Sequence, residues 1–200
     1  WRSPLKKSVL FPPKRSIMDP ERPTVASFLK DRGYRTCVVG KWHLGLNWHM
    51  LDQPAKAASG PTRGTCWNID FSRPPQQGPL KLGFTDDFLF PASLDMDPYV
   101  YVRDHGVEEA TTAKTKGGKH SRNGGTGFWR SGPAAPSFKH EEVLPRITEE
   151  AISVIQKQSK GQPFFLYLPF SAPHTPWLPT KAFRNKTGAG TYGDFVAQVD

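Results

Sequence analysis

The sequence predicts an α/β fold in which a mixed, largely parallel sheet is flanked by helices. Three observations point there. A helical pattern runs directly into a short apolar strand pattern twice, once before Lys41 and again before Leu168. The second strand run, Phe164-Phe165-Leu166-Tyr167-Leu168, is apolar on both faces, as in a central parallel strand covered by helices. In both units polar residues stand just past the strand, Lys41 and His43 in the first and His174 in the second. Open α/β sheets carry their sites at that carboxyl end.

Taken in order, Trp1 to Asp19 is basic and punctuated by Pro12-Pro13, an irregular surface segment. Pro23 and Thr24 open a helix, Val25, Phe28 and Leu29 form its buried stripe, and Gly33 ends it. Cys37-Val38-Val39 reads as a buried strand, and Gly40 lets the backbone turn with no side chain in the way. On an extended continuation, Lys41 and His43 share one side while Trp42 packs on the other. A fixed positive charge beside a titratable ring suits a tetrahedral oxyanion such as sulfate or phosphate. The spacing alone fits equally well a solvated lysine beside a structural histidine.

Between the two units, Asn47 to Pro79 and Val107 to Pro136 are rich in Gly, Pro, Ser and Lys and read as long surface excursions that shape substrate choice. Ala113 to Gly127 reads as a solvated, mobile loop. The second helix starts near Pro145, with Glu141, Glu142, Glu149 and Glu150 around its first turns. Ile147, Ala151, Val154 and Ile155 line one face, and Gly161 is the stop. His174 follows the strand between Pro173 and Thr175-Pro176, where prolines restrict the backbone on both sides of the imidazole. His49, His105, His120 and His140 have no comparable context and read as surface residues.

Composition bounds the function. The chain has 200 residues, enough for one domain with a real core. Its 18 Gly and 20 Pro make nearly a fifth of the chain, against a usual share of roughly 12%, so much of it is loop. With 27 Lys and Arg against 18 Asp and Glu, the net charge of +9 suits a polyanionic partner or substrate. No nucleic-acid motif accompanies the charge, and the aromatic residues sit in core-like patterns, which argues against nucleic acid. Cys37 and Cys66 form no disulfide framework and lack metal-ligand spacing. No run approaches the roughly 20 apolar residues of a membrane helix, and no signal peptide opens the sequence.

Gly33-Tyr34-x-Thr36-x-x-Val39-Gly40-Lys41-Trp42-His43 resembles the second signature of the type I sulfatases, the arylsulfatase branch of the alkaline-phosphatase superfamily. Pro163-Phe164-Phe165-Leu166-Tyr167-Leu168 with Ala172-Pro173-His174-Thr175-Pro176-Trp177 is similar to the family's strand and histidine loop. Tyr192-Gly193-Asp194 to Asp200 resembles the segment entering its next helix. The resemblance covers nearly the whole chain in family order. It implies an incomplete alkaline-phosphatase-like sulfatase fold, with residues 1–200 an internal piece of one catalytic domain.

The activity the resemblance implies is sulfate-ester hydrolysis by a formylglycine nucleophile, with calcium and basic side chains on the sulfate oxygens. Lys41 would bind sulfate, His43 would contact the formylglycine hydroxyl and help eliminate sulfate, His174 would sit at the ester oxygen, and Ser93 would be a lesser sulfate contact. Substrates would be sulfated small molecules or sulfated polysaccharides, and a formylglycine-generating or equivalent enzyme would mature the protein. An exported, periplasmic or extracellular location is implied.

Neither Cys37 nor Cys66 begins the family's Cys-x-Pro/Ala-x-Arg nucleophile motif, no serine begins its equivalent, and both acidic calcium pairs lack counterparts at the expected places. Asp86-Asp87 follows the Lys41 strand instead of preceding it, so it is not read as the calcium pair. The expectation is therefore that nucleophile and calcium ligands lie outside these residues, with no metal ligands within. Two other readings remain: a phosphodiesterase or phosphonate hydrolase of the same superfamily, and a noncatalytic module binding sulfated polymers through its charge.

Overall fold

The computed structural model describes residues 5, 9–52, 66–104, 106–118, 127–158 and 161–200. Helix α1 (Val25–Lys30) leads into strand β1 (Arg35–Lys41). Strands β2 (Asp86–Phe90), β3 (Val102–Arg103), β4 (Gly106–Val107), β5 (Ala113–Thr115) and β6 (Gly132–Ala134) follow. Helix α2 (Val143–Gln156), strand β7 (Phe164–Tyr167) and helix α3 (Gly190–Val199) complete the order. The main sheet runs β4-β3-β2-β1-β7. β1 lies parallel to both β2 and β7, while β2-β3 and β3-β4 are antiparallel. This is the mixed, largely parallel sheet the sequence predicts.

Alternation along β1 and β2 builds a core on each face. Val38 and Leu89 join Trp42, Ala26, Leu82 and Phe84 on one side. Val39, Phe88 and Phe90 meet Val143, Ile147 and Ala151 of α2 on the other. Each large side chain buried this way contributes roughly 1.5–3 kcal/mol. Register is pinned at the amino ends of the strands. Arg35 donates to both carboxylate oxygens of Asp86, at 2.9 and 2.8 Å, and Thr85 Oγ1 donates to the Thr36 carbonyl at 2.8 Å. α1 has the start expected at Thr24: Ser27 N–H donates to Thr24 Oγ1 at 3.0 Å, and Thr24 N–H to Ser27 Oγ at 2.9 Å.

Several sequence expectations need correction. Val25 and Phe28 are 59% and 52% exposed, and Ala26 is the buried residue of α1. The helix turns its Ala26–Ser27 side inward because Gly83 comes so close that a Cβ on it would lie 2.3 Å from the Ser27 nitrogen. On α2, Val143, Leu144, Ile147 and Ala151 are buried, but Ile155 is half exposed. β7 is an edge strand among the described residues, with Phe164 and Tyr167 partly exposed. Both-face apolarity reports what lies above and below a strand, not what lies beside it.

The second excursion is not all loop, since β5 pairs antiparallel with β6. The remainder of its low-complexity stretch, 119–126, lies outside the described residues, as do His105 and His120. Leu10 of the expected surface segment is buried. His140 is no surface residue either: its ring packs against Tyr99, Trp129 and Phe138, and burial pushes its pKa down to about 4. No helix among the described residues is long and apolar enough to cross a membrane.

Asp87 gives the fold a pH signature. It is 6% exposed. Its Oδ1 accepts the Asp104 N–H at 2.8 Å, and its own N–H donates to Asp104 Oδ1 at 3.0 Å. Burial pushes its carboxyl up to about 7. Between about pH 4, where an unfolded aspartate ionises, and about 7, the unfolded chain releases a proton that the folded chain keeps. Stability from this group therefore falls as pH rises through that window. Asp87→Asn keeps the Oδ1 acceptor and removes the titration, so its melting temperature should fall less from pH 4.5 to 7.5 than that of the parent protein. Parallel pH profiles for the two would show that Asp87 titrates normally.

Candidate active site

The site is assembled where three parallel strands end. Lys41 is the last residue of β1, Ser93 follows β2, and His174 follows β7. Gly40 sets their convergence. Its φ is 134°, and a Cβ there would lie 2.2 Å from the Pro169 carbonyl oxygen. That closeness lets Lys41 N–H donate to Pro169 at 2.7 Å, drawing the chain after β7 across the end of β1. His174 N–H then donates to the Ser171 carbonyl at 3.1 Å and closes the turn that presents the ring.

The geometry brings the expected residues together. Lys41 Nζ donates to Ser93 Oγ at 3.4 Å, and Ser93 Oγ lies 3.2 Å from His174 Nδ1. Nδ1 also lies 2.9 Å from the Thr175 carbonyl. A carbonyl only accepts, so Nδ1 carries hydrogen and Nε2 is the nitrogen left for a reacting group. Lys41 is held below the usual lysine pKa by burial, partly offset by the charge of Asp95.

His43 arrives differently from the expectation. The extended alternation stops at its φ of 53°, a value uncommon outside glycine. Trp42 does pack inward, edge-to-face on Phe84, with its indole N–H donating to the Gly45 carbonyl at 2.9 Å. The turn at His43 directs Nε2 to the Leu10 carbonyl, also 2.9 Å away. Burial, with the nearby Lys41 charge, lowers the His43 pKa against the Leu10 hydrogen bond. The Leu10 carbonyl fixes a hydrogen on Nε2, which leaves Nδ1 as the acceptor in the neutral ring that burial favours. Lys41, Asp95 and His174 all act electrostatically on this ring, so it belongs to the same cluster.

Two residues were not singled out from the sequence. Asp95 is 3% exposed and sits beneath His174, with Oδ1 3.9 Å from Nδ1. Arg130 reaches it from the second excursion, pairing through Nη1 with Asp95 Oδ2 at 2.5 Å and with the Asp95 carbonyl at 2.9 Å. Asp95 had a signal, two residues after Ser93. Arg130, 35 residues further on, had none. The excursion is also pinned to the histidine loop, where Phe128 N–H donates to Thr175 Oγ1 at 3.1 Å.

The described residues do not fit a calcium site. No three His, Cys, Asp or Glu among them converge as metal ligands. Asp86 is engaged by Arg35, and Asp87 by the Asp104 backbone. Both lie toward the opposite end of the sheet, Asp86 pairing with Cys37 while Lys41 pairs with Phe90. Neither cysteine fits a nucleophile: burial pushes the Cys37 thiol up to about 12 and Cys66 well above its ordinary value.

With this geometry in hand, comparison with known proteins is specific. The sulfatase family profile matches residues 9–200. An N-acetylgalactosamine-6-O-sulfatase of Bacteroides thetaiotaomicron is 32% identical across 92% of this chain, which spans 38% of that protein. Human N-acetylgalactosamine-6-sulfatase is 26% identical across 86% of the chain, which spans 26% of it. A solved structure from work on glycosaminoglycan metabolism by Bacteroides thetaiotaomicron superposes with a TM-score of 0.72 at 28% identity, covering 98% of this chain and 43% of that one. A sulfatase from Pseudoalteromonas sp. shares the fold, with a TM-score of 0.57 at 15% identity over 96% of this chain and 35% of its own.

The Gly40 crossing can be tested by contrast with another glycine. Gly33 also has positive φ, but a Cβ there meets nothing within 4 Å. Gly33→Ala should cost only about 1–2 kcal/mol of unfolding free energy, the left-handed penalty alone. Gly40→Ala adds a backbone clash and should cost about 4 kcal/mol or more in urea denaturation. Equal costs would show that the Pro169 crossing gives way easily.

Proposed function

Because the chain belongs to the sulfatase family, we propose that the protein hydrolyses sulfate esters and that residues 1–200 form part of its single catalytic domain. The supporting observation is the Lys41–Ser93–His174 chain of contacts at the carboxyl ends of β1, β2 and β7. The names of the relatives suggest a substrate class, a sugar carrying a 6-O-sulfate of the N-acetylgalactosamine type. The net charge of +9 suits a sulfated polysaccharide bearing it.

In this reading Lys41 binds a sulfate oxygen and stabilises the charge that grows on it in the transition state. A partly desolvated ammonium serves better there than a hydrated one, because its field is less screened. Ser93 bridges Lys41 and His174 and orients both. As the bond between sulfur and the leaving oxygen breaks, its electron pair stays on oxygen, and a protonated His174 delivers the Nε2 hydrogen to it. His43, tied to Leu10 through Nε2, would present Nδ1 to the formylglycine hydroxyl and help eliminate sulfate when that group is in place. Calcium and a formylglycine nucleophile are general to the family. We place the residues that supply both outside residues 1–200, and a separate maturation enzyme would make the formylglycine.

Two measurements on the full-length protein test this. Lys41→Ala should lower kcat for an aryl sulfate by about 10²–10³, as expected for losing one preorganised transition-state contact. Unchanged turnover at matched folded concentration would remove Lys41 from the site. His174→Ala should harm sugar sulfates, whose alkoxides leave poorly, more than nitrophenyl sulfate, whose phenolate needs little protonation. A uniform loss would recast His174 as a sulfate binder.

A further inference from the structure

We propose that Asp95 is a positioning residue for His174, and that Arg130 clamps it in place. The inference rests on the acid role given to His174 above. Asp95 Oδ1 is buried and accepts no hydrogen bond among the described residues. Leaving an ionised oxygen unpaired is costly, and proteins seldom do it without a use. An anion is also an unfavourable neighbour for a sulfate ester, so its place in this cluster needs a cationic reason. Oδ2 is already taken by Arg130 at 2.5 Å, while Oδ1 faces His174 Nδ1 at 3.9 Å.

The arrangement follows from what each acceptor can do. Thr175 O fixes the hydrogen on Nδ1 but carries no charge. Asp95 faces the same nitrogen with a carboxylate oxygen, so it can steer the ring and keep Nε2 turned toward the leaving oxygen. A movement of about an ångström would turn the 3.9 Å approach into a charge-assisted hydrogen bond. The clamp limits the carboxylate's freedom to turn away, because Arg130 Nη1 bonds both Asp95 Oδ2 and its carbonyl, and Arg130 N–H donates to that carbonyl at 3.1 Å. Phe11 and Phe128 lie 5.7 and 5.1 Å from the guanidinium and frame it.

The test uses the full-length protein with a sugar sulfate and nitrophenyl sulfate, comparing parent, Asp95→Asn, His174→Ala and the double variant. Asp95→Asn should reduce kcat on the sugar sulfate by about tenfold, a part of the roughly 10²–10⁴-fold that a positioned acid supplies, with a smaller loss on nitrophenyl sulfate. In the His174→Ala background the same change should have little further effect. A loss that is uniform across leaving groups, or that persists undiminished without His174, would overturn the proposal while leaving the acid role intact. Absence of a leaving-group preference in His174→Ala itself would sink the acid role and the proposal with it. Arg130→Met keeps Asp95 and removes the clamp. It should show the same leaving-group pattern at smaller size, and it carries the comparison if Asp95→Asn is insoluble; a uniform loss in Arg130→Met would count against the clamp.

Discussion

The approach of the Pro169 carbonyl to Gly40 is the constraint on which the rest of the site depends. β1 and β7 are already parallel neighbours, but pairing ends at Val38 and Tyr167. Beyond it, one hydrogen bond from Lys41 N–H to Pro169 holds the two chains together, and only a residue without a side chain tolerates the distance. Lys41 and His174 belong to different structural units, and this contact makes their spacing a property of the backbone. Ser93 is placed the same way from the other side, because Trp42 N–H and His43 N–H donate to the Phe90 and Pro91 carbonyls at the end of β2. The site inherits its precision from three strand ends rather than from long flexible side chains.

Electrostatically the site sets one lysine and two imidazoles around one buried carboxylate. Lys41, His43 and His174 gather past the strand ends, and the charge of Asp95 acts on Lys41 and His43. Burial disfavours the charged forms of Lys41 and His43, and the field of Asp95 works against it. Arg130 fixes that carboxylate in turn, so the polar groups of the cluster are held in place before any ligand arrives.

Much of this was legible in the sequence because it depends on local pattern. Helix-to-strand succession, glycine at the strand end and polar residues just beyond it put Lys41 and His174 at one edge of a parallel sheet, while Ser93 was reached only through the family resemblance. What was not legible depends on neighbours far along the chain. Nothing local signals that His43 adopts positive φ, since the turn follows from backbone bonds to the β2 loop and a ring contact with Leu10. Val25, Phe28 and Leu29 have helical spacing, but Gly83, more than fifty residues later, decides which side of α1 faces in. An apolar run such as β7 declares coverage and is silent about edges. Asp95 looks like any turn aspartate until Arg130 is seen beside it.

The link from Arg130 to Asp95 has a consequence for how such a protein can diversify. Lys41, Ser93 and His174 hang from strand ends, and the Asn47 to Pro79 excursion meets the fold through core residues such as Trp48, Cys66 and Ile69 rather than through these three side chains. The second excursion is tied to the site itself. It crosses the histidine loop at Thr175 and ends its reach on the carboxylate under His174, so a change that adapts this segment to a new sugar also touches the group that steadies the imidazole. Selectivity and turnover would then drift together along one stretch of chain and separately along the other, and a search for altered preference at constant rate would do best to begin in the first.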